Sequence, residues 1–216
     1  MDLVTIIIPY FQKKYFIHKA ISSVLNQTYK NIEIIIIYDD ENKSDLILLK
    51  ELSKNDKRIK ILVNNKNIGP GLSRNKGMKF AKGKYIAFID SDDEWKKNKL
   101  EAQLKIMKTK NYSISHTSYE IIDKSNLLLG KRIARTFFNT GDLIKSCDIG
   151  LSTVVLEKKI INKHIAFPNL RTKEDFVLWL KILEKRYVIG SIKTKLSRWR
   201  KLDNSLSSNV LQKLID

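Results

Sequence analysis

The sequence has little of several features that would assign a protein to a class at first sight. It contains one cysteine, Cys147, so no disulfide can form within the chain, and a small buried hydrophobic side chain is its expected role. No apolar run approaches the roughly 18 residues that a membrane-spanning helix needs. The N-terminal MDLVTIII lacks the basic segment and the cleavage site of a signal peptide. These absences exclude an internal disulfide framework and predict a cytoplasmic protein.

Proline and glycine are scarce as well, with three and eight residues among 216, and they form no linker. The sequence contains no internal repeat, and its length suits one domain. We therefore expect a single domain over residues 1–216, in which residues 1–110 and 111–216 share one core.

Acidic residues are few relative to basic ones, which leaves a formal net charge of +18. Residues 1–110 hold 22 Lys/Arg and 13 Asp/Glu, and residues 111–216 hold 19 and 10, so each half carries +9. A diffuse basic surface can serve nucleic acid, anionic lipid or phosphorylated substrates. The same excess can reflect the compositional bias of a chain rich in Lys, Asn and Ile, and the sequence leaves both explanations open.

The first half of the chain alternates two hydrophobic periodicities. Apolar runs of strand length occur at 4–8, 32–38, 59–63 and 85–89. Apolar residues with the spacing of one helix face predict helices around 17–25, 45–52, 72–81 and 95–107. Continuous apolar strands separated by helices indicate a parallel sheet that is covered on both faces. The predicted class is therefore α/β, Rossmann-like, with a mostly parallel central sheet flanked by helices.

The second half is less regular. Short strands are predicted at 113–117 and 153–157, and Thr140 could cap a short helix that runs to Lys145. A convincing helical pattern covers Glu174–Glu184, and residues 187–199 are expected to be extended.

Acidic residues follow two of the predicted strands. Asp39 and Asp40 follow the second strand, and Asp90, Asp92 and Asp93 follow the fourth. In a parallel sheet the carboxyl ends of the strands form the edge where ligands bind. Clustered carboxylates there favour a hard cation, Mg²⁺ or Mn²⁺, which offsets their mutual repulsion. A solvated turn that caps the next helix is the alternative for Asp92 and Asp93.

Seven short segments occur in a recognisable order along the chain. They are TIIIPYF at 5–11, ISSVLNQTY at 21–29, DD at 39–40, NIGPGLSRNKG at 67–77, YIAFIDSDD at 85–93, TKEDFVLWL at 172–180 and WRKLDNSLS at 199–207. In this order, over about residues 3–207, they resemble the family 2 glycosyltransferases. The resemblance implies a GT-A fold, with a nucleotide-sugar-binding half at about 1–110 and an acceptor and catalytic-base half at about 111–216.

The resemblance also implies a role for individual residues. Asp175 would be the catalytic base and Asp92 the metal ligand, and Glu174 is the neighbour most easily confused with Asp175. Phe11 would stack on the nucleotide base, and Asp40 would hydrogen-bond it. The full set of implied nucleotide-sugar contacts is Pro9, Phe11, Asp39, Asp40, Arg74, Asn75, Asp90, Ser91, Arg200 and Ser205. Within that set Asp90 would face the ribose, and Arg200 and Ser205 would close over the diphosphate.

The implied reaction is an inverting, metal-dependent sugar transfer from a nucleoside-diphosphate sugar, expected to be a UDP-sugar. The acceptor would be a saccharide or a lipid-linked glycan in surface polysaccharide or lipopolysaccharide synthesis. Mn²⁺ or Mg²⁺ would stabilise the leaving diphosphate, and a carboxylate would deprotonate the acceptor hydroxyl. A lipid-linked acceptor would bring the enzyme to the inner face of the cell membrane, where anionic lipid attracts basic protein surfaces.

Two other functions are weighed against this one. A nucleotidyltransferase acting on a sugar phosphate also uses an α/β sheet and paired acids. A basic nucleic-acid-binding protein is disfavoured, because acids crowd the expected cleft and no recognition motif is present. We expect no nucleic-acid partner.

The sequence departs from the family pattern at two places. The loop after Asp40 begins Glu41-Asn42-Lys43, without the usual glycine, which puts its geometry in question. The histidine often found after the position of Arg200 is absent. Arg200 and nearby lysines would then have to supply the positive charge.

Overall fold

The computed structural model describes residues 1–203 of the chain. Within this part the elements follow in the order β1 (Val4–Tyr10), α1 (Lys14–Leu25), β2 (Ile32–Tyr38), α2 (Leu46–Asn55), β3 (Ile59–Val63), α3 (Pro70–Phe80), β4 (Tyr85–Phe88), β5 (Glu94–Trp95), α4 (Lys99–Lys110), β6 (Ile114–Ile122), β7 (Leu128–Arg132), α5 (Thr140–Lys145), β8 (Val155–Glu157), α6 (Glu174–Glu184) and β9 (Ile189–Arg200). None of the helices in residues 1–203 has the length and apolar character needed to cross a membrane.

Strands β1 to β4 form the parallel part of the sheet, in the order β3-β2-β1-β4. Successive side chains of a strand point to opposite faces. In β1, Ile6 and Ile8 therefore pack in one core with α1, α2 and α4, whereas Ile7 packs in a second core with α3 and α6. Because both faces are covered, these strands are apolar at nearly every position.

The strands of the second half extend the same sheet. β8 runs antiparallel between β4 and β6, β6 pairs in parallel with β9, and β5 pairs with the end of β9. The sheet is therefore mixed, with the parallel ladders β1–β2, β2–β3 and β6–β9 as its longest pairings. The α/β class and the flanking helices predicted from the sequence are confirmed.

The predicted helix over 95–107 begins too early. Glu94 and Trp95 form β5, which pairs with β9, and the helix itself starts at Lys99. Trp95 is buried, and its indole N–H donates to the Ser152 carbonyl at 2.7 Å. The partner strand lies far along the chain, so the local pattern carried no sign of it.

Three further details differ from the expectations. Thr140 is the first residue of α5, and the cap is Asn139, whose side chain accepts from the Asp142 amide at 3.0 Å. Cys147, expected to be a small buried side chain, is exposed in the segment that follows α5. Strand β7, which pairs with β6, was not predicted.

Candidate active site

The predicted acids meet at the carboxyl edge of the parallel strands. β1 lies between β2 and β4, so the loop after β1 separates Asp39 and Asp40 from the acids that follow β4. The Asp39 amide donates to the Tyr10 carbonyl at 2.9 Å, which keeps the first two loops side by side. From the loop after β1, Lys13 reaches Asp92 with an N–O distance of 3.0 Å. Three loops therefore converge on one crevice, as the strand order requires.

Arg74, on α3, connects the two halves of the chain. Its buried guanidinium donates to Asp90 at 2.7 Å and to Glu174 at 2.6 Å. Gly71 permits this approach, since a Cβ at that position would lie 3.0 Å from the Glu174 side chain. Charge-assisted hydrogen bonds of this kind are strong where water is excluded. Arg74 thereby holds the first turn of α6, with Glu174 and Asp175, close to the acids that follow β4.

Glu174 and Asp175 have different surroundings although they are adjacent. Glu174 is engaged by Arg74, whereas an Asp175 oxygen accepts from the Phe176 amide at 2.8 Å. Burial is the main cause that raises the pKa of Asp175 to about 6, and the charge of Glu174 adds to it. A carboxyl group with that pKa suits proton transfer near neutral pH.

Asp92 and Asp93 also differ. Asp93 is 1% exposed and accepts from the Ser152 hydroxyl at 2.5 Å and from the Arg200 amide at 2.8 Å. Burial, with Asp92 nearby, holds the pKa of Asp93 well above its usual range. The Asp92 side chain is 15% exposed and faces Lys13, and burial raises its pKa as well. Of these two acids, Asp92 is therefore the one that can meet a ligand, and Asp93 supports the turn.

Arg200, at the end of β9, connects this turn and the start of β5 to the residue that follows β6. Its guanidinium donates to the Asp92 carbonyl at 2.9 Å, to the Asp123 carbonyl at 2.8 Å and to the Glu94 carboxylate at 2.6 Å. In this arrangement Arg200 positions the turn that carries Asp92. Its contact with a diphosphate stays a prediction, and Ser205 lies outside the described residues.

The residues expected to hold the nucleotide base are partly exposed and partly structural. Phe11 is 44% exposed at the sheet edge, which leaves its ring available for stacking. Asp39 is buried, and its carboxylate accepts from the amides of residues 68–69, both at 2.9 Å. Asp40 accepts from the Asn42 amide at 3.0 Å, a side-chain turn that organises the loop without the usual glycine.

Three more predicted contacts lie around the crevice. Asn75 donates to the Phe167 carbonyl at 2.8 Å and accepts from the Phe167 amide at 3.0 Å, so its amide anchors the segment before α6. Ser91 is buried next to Asp90, and Pro9 is half-buried in β1. Contacts of Asn75, Ser91 and Pro9 with a nucleotide sugar stay predictions.

Two residues of the site were missed by the sequence reasoning. The Ser152 hydroxyl accepts from the Asp90 amide at 2.9 Å and donates to Asp93, yet nothing in its sequence context marks it. Lys13 carried a usable signal. The loop after the first strand was expected to enter the crevice, so a basic residue there would face the acids.

The acidic edge offers few protein ligands for a metal ion. Within residues 1–203, no group of three or more His, Cys, Asp or Glu could hold one. Mg²⁺ and Mn²⁺, however, often take one or two carboxylates and complete their coordination with water and substrate phosphates. Lys13 already places a positive charge beside Asp92. The residues therefore fit a cation shared by Asp92 and a diphosphate, and not a cage made of protein ligands.

This sheet and its acidic edge define the class of protein, a glycosyltransferase with the GT-A fold. A sequence model described as "Glycosyl transferase family 2" matches residues 5–165, and the chain belongs to that family. The resemblance noted in the sequence is confirmed, and the family decides against the nucleotidyltransferase and nucleic-acid-binding alternatives.

Similar proteins agree with the family. The chain is 41% identical over 214 residues to the Escherichia coli UDP-Glc:alpha-D-GlcNAc-diphosphoundecaprenol beta-1,3-glucosyltransferase WfgD, covering 98% of this chain and 82% of the relative. It is 34% identical to the Bacillus subtilis putative teichuronic acid biosynthesis glycosyltransferase TuaG, covering 96% and 82%. The crystal structure of S. aureus TarS 1-349 with UDP-GlcNAc superposes with a TM-score of 0.81 at 19% identity, covering 96% of this chain and 61% of TarS. TarS supports the fold alone, and this chain spans about three fifths of it.

Proposed function

We propose that the enzyme moves a sugar from a UDP-sugar to a lipid-linked glycan acceptor during synthesis of a surface polysaccharide. The observation that carries the proposal is the Arg74 bridge, which keeps Asp175 close to Asp90 and to the turn that holds Asp92. The names of two Escherichia coli relatives, WfgD and WfaP, support the substrates, since both specify UDP-Glc and a diphosphoundecaprenol acceptor.

Asp175 acts as the general base in this proposal. With a pKa of about 6 it is mostly ionised at neutral pH, yet basic enough to take the proton of an acceptor hydroxyl. The hydroxyl oxygen forms a bond to the anomeric carbon while the bond to the diphosphate breaks. Attack from the side opposite the diphosphate inverts the anomeric configuration. Glu174 stays hydrogen-bonded to Arg74 and takes no part in proton transfer.

The donor lies across the carboxyl edge of β1, β2 and β4. Phe11 and Asp40 contact the base, and Asp90 contacts the ribose. Asp92 would hold Mn²⁺ or Mg²⁺, and that cation would stabilise the charge on the departing diphosphate. Lys13 pairs with Asp92 at an N–O distance of 3.0 Å, so the cation would compete with the Lys13 ammonium group for that carboxylate.

We further propose that the enzyme works at the inner face of the cell membrane. A lipid-linked acceptor is held at the bilayer, so the enzyme must approach the surface to reach it. A net charge of +18 supports peripheral attachment to anionic lipid.

The test combines a donor panel with one variant. Purified protein with Mn²⁺ or Mg²⁺ is given UDP-sugars and an undecaprenyl-diphosphate sugar, and the released nucleotide is identified. UDP is the expected product, and pyrophosphate would contradict sugar transfer.

Asp175→Asn should lower kcat by about 10²- to 10⁴-fold, because the base is lost, while UDP binding is retained. The control is Glu184→Gln, at the exposed far end of α6, which should transfer at the wild-type rate. Transfer by Asp175→Asn at the wild-type rate would show that another group is the base.

A further inference from the structure

The hairpin of β6 and β7 exposes a run of large apolar side chains. We call residues 124–133 the hairpin surface. Leu127, Leu128 and Leu129 are 65%, 59% and 51% exposed, and Ile133 is 48% exposed. Neighbours along a strand point to opposite faces, so the exposure of both Leu128 and Leu129 means that neither face of β7 is covered by residues 1–203. Contiguous exposed apolar groups of this kind mark an interaction site.

The charge around these leucines is mainly basic. Residues 124–141 contain four basic residues and no acidic one. Two acids lie nearby, and both are engaged: Glu120 pairs with Lys96 and Arg198, and the Asp123 carboxylate accepts from amides of the turn. Lys124, Lys131 and Arg132 on the hairpin surface are exposed, as is Lys195 on the neighbouring strand β9. An apolar tip flanked by Lys and Arg is complementary to an anionic bilayer, because the leucines can enter the boundary of the acyl chains while the cations stay among the headgroups.

The turn of the hairpin is fixed by its own hydrogen bonds. The Asp123 carboxylate accepts from the amides of Ser125 and Leu127, both at 2.8 Å, and the Asp123 amide donates to the Leu127 carbonyl at 3.0 Å. The leucines are therefore presented on an ordered turn, which lowers the entropy lost on binding.

The hairpin is also joined to the candidate active site. The guanidinium of Arg200 donates both to the Asp92 carbonyl and to the Asp123 carbonyl. The base of the hairpin and the turn that carries Asp92 therefore lie on either side of a single side chain. A surface that receives the hairpin therefore comes close to the crevice.

We propose that the hairpin surface docks the enzyme on an anionic lipid bilayer, with Leu127, Leu128 and Leu129 entering the interface and Lys131 and Arg132 contacting the headgroups. The docking proposal rests on the proposed function in one respect: a lipid-linked acceptor explains why the crevice would face the membrane. The charge favours lipid over a second copy of the chain, because two such basic surfaces would repel each other.

The test is co-sedimentation of the full chain with vesicles of phosphatidylcholine, with or without about a third phosphatidylglycerol. Leu128→Ser with Leu129→Ser should weaken binding to the anionic vesicles by about tenfold or more, because the apolar insertion is lost. The matched control, Ile47→Ser with Phe80→Ser, removes two exposed apolar side chains elsewhere and should bind like wild type. Equal binding by the hairpin variant and wild type would overturn the proposal.

Charge reversal gives an independent readout. Lys131→Glu with Arg132→Glu should lose binding to anionic vesicles far more than Lys50→Glu with Lys54→Glu on α2, although the change in net charge is the same. Equal losses would mean that diffuse charge alone acts, and would overturn the assignment to the hairpin.

Two other occupants are distinguishable. A dimer in solution that dissociates in the leucine variant would assign the surface to a second copy. Vesicle binding that appears only after removal of residues 204–216 would assign the hairpin surface to that segment. Either result overturns the proposal. UDP-sugar hydrolysis in the absence of vesicles should be unchanged in the hairpin variants, so failure of the proposed function, seen as no hydrolysis by wild type, is separable from failure of docking.

Discussion

Asp175 occupies a setting that disfavours its charged form. Burial and the neighbouring Glu174 raise its pKa from 3.8 to about 6, and Arg74 opposes them in part. The folded state therefore binds the Asp175 proton more tightly than the unfolded state does. This lowers stability at neutral pH. The destabilised group is also the candidate base, which fits a site tuned for chemistry at some expense of stability.

Asp175→Asn should consequently stabilise the fold in a pH-dependent way. Below about pH 3.8 the acid is protonated in both states, and the gain from Asn should vanish. As the pH rises through about 6, Asp175 in the folded wild type loses its proton, and the stability that the protonated acid contributed is lost. Above that pH the variant should gain up to about 3 kcal/mol. Urea unfolding at pH 4 and pH 8 measures the difference, and an equal gain at both pH values would contradict this account.

Lys13 pairs with Asp92, so a cation that binds Asp92 would meet the positive charge of Lys13 at the same carboxylate. Lys13→Met should therefore strengthen Mn²⁺ binding by about two- to fivefold, because a partly exposed ion pair of roughly 0.5–1 kcal/mol no longer competes. Electron paramagnetic resonance of free Mn²⁺, with UDP present, measures the affinity without turnover. Lys14→Met, which removes a more exposed neighbour, is the control and should leave the affinity unchanged. Weaker binding in Lys13→Met would mean that Lys13 holds the diphosphate instead.

The sequence located the acids but not their partners. Asp39, Asp40 and Asp90 could be placed at one edge, because parallel strands deliver their carboxyl ends there. The Arg74–Glu174 pair and the Ser152–Asp93 hydrogen bond join residues far apart in sequence. Nothing in a local pattern specifies such a contact.

Elements with strong periodicity were predicted well. The strands at 32–38 and 59–63 and the helix at 174–184 have the bounds expected from their apolar patterns. β5 and β7 were missed for opposite reasons. β5 is two residues long and depends on β9, while β7 exposes both of its faces and shows no alternation.

The end of β9 depends on one side chain. Arg200 is buried, stacks on Phe16 with its guanidinium carbon 5.0 Å from the ring centroid, and hydrogen-bonds two separate segments, residues 92–94 and Asp123. Arg200→Gln should cost about 3–5 kcal/mol of stability, because it removes a buried guanidinium that hydrogen-bonds the Asp92 and Asp123 carbonyls and the Glu94 carboxylate.

Denaturant unfolding measures that loss. Arg198→Gln is the control and should cost under about 1 kcal/mol, because Arg198 is more exposed and its ion pairs with Glu120 and, at 3.8 Å, with Glu94 are partly solvated. Equal losses of stability in the two variants would show that Arg200 stabilises the fold no more than an exposed ion pair does. The Arg200 variant should also raise the KM for donor, since the turn that carries Asp92 is then less constrained.

One continuous sheet runs through both halves of the chain. β8 pairs with β4 on one side and β6 on the other, and both hydrophobic cores combine residues from the two halves. The two halves, predicted to meet near residue 110, therefore belong to one packed unit, and their division into nucleotide-binding and acceptor roles stays a prediction.

Such a sheet should unfold in one step. Far-UV circular dichroism and the fluorescence of Trp95, Trp179 and Trp199 should give the same urea midpoint, and UDP with Mn²⁺ should shift both probes together, by about 2.7 kcal/mol at a hundredfold excess over Kd. A fragment of residues 1–110 should fail to fold, because β4 would lose β8 and buried Arg74 would lose Glu174. Separate transitions, or a fragment that folds and binds UDP, would show instead that the halves are independent units.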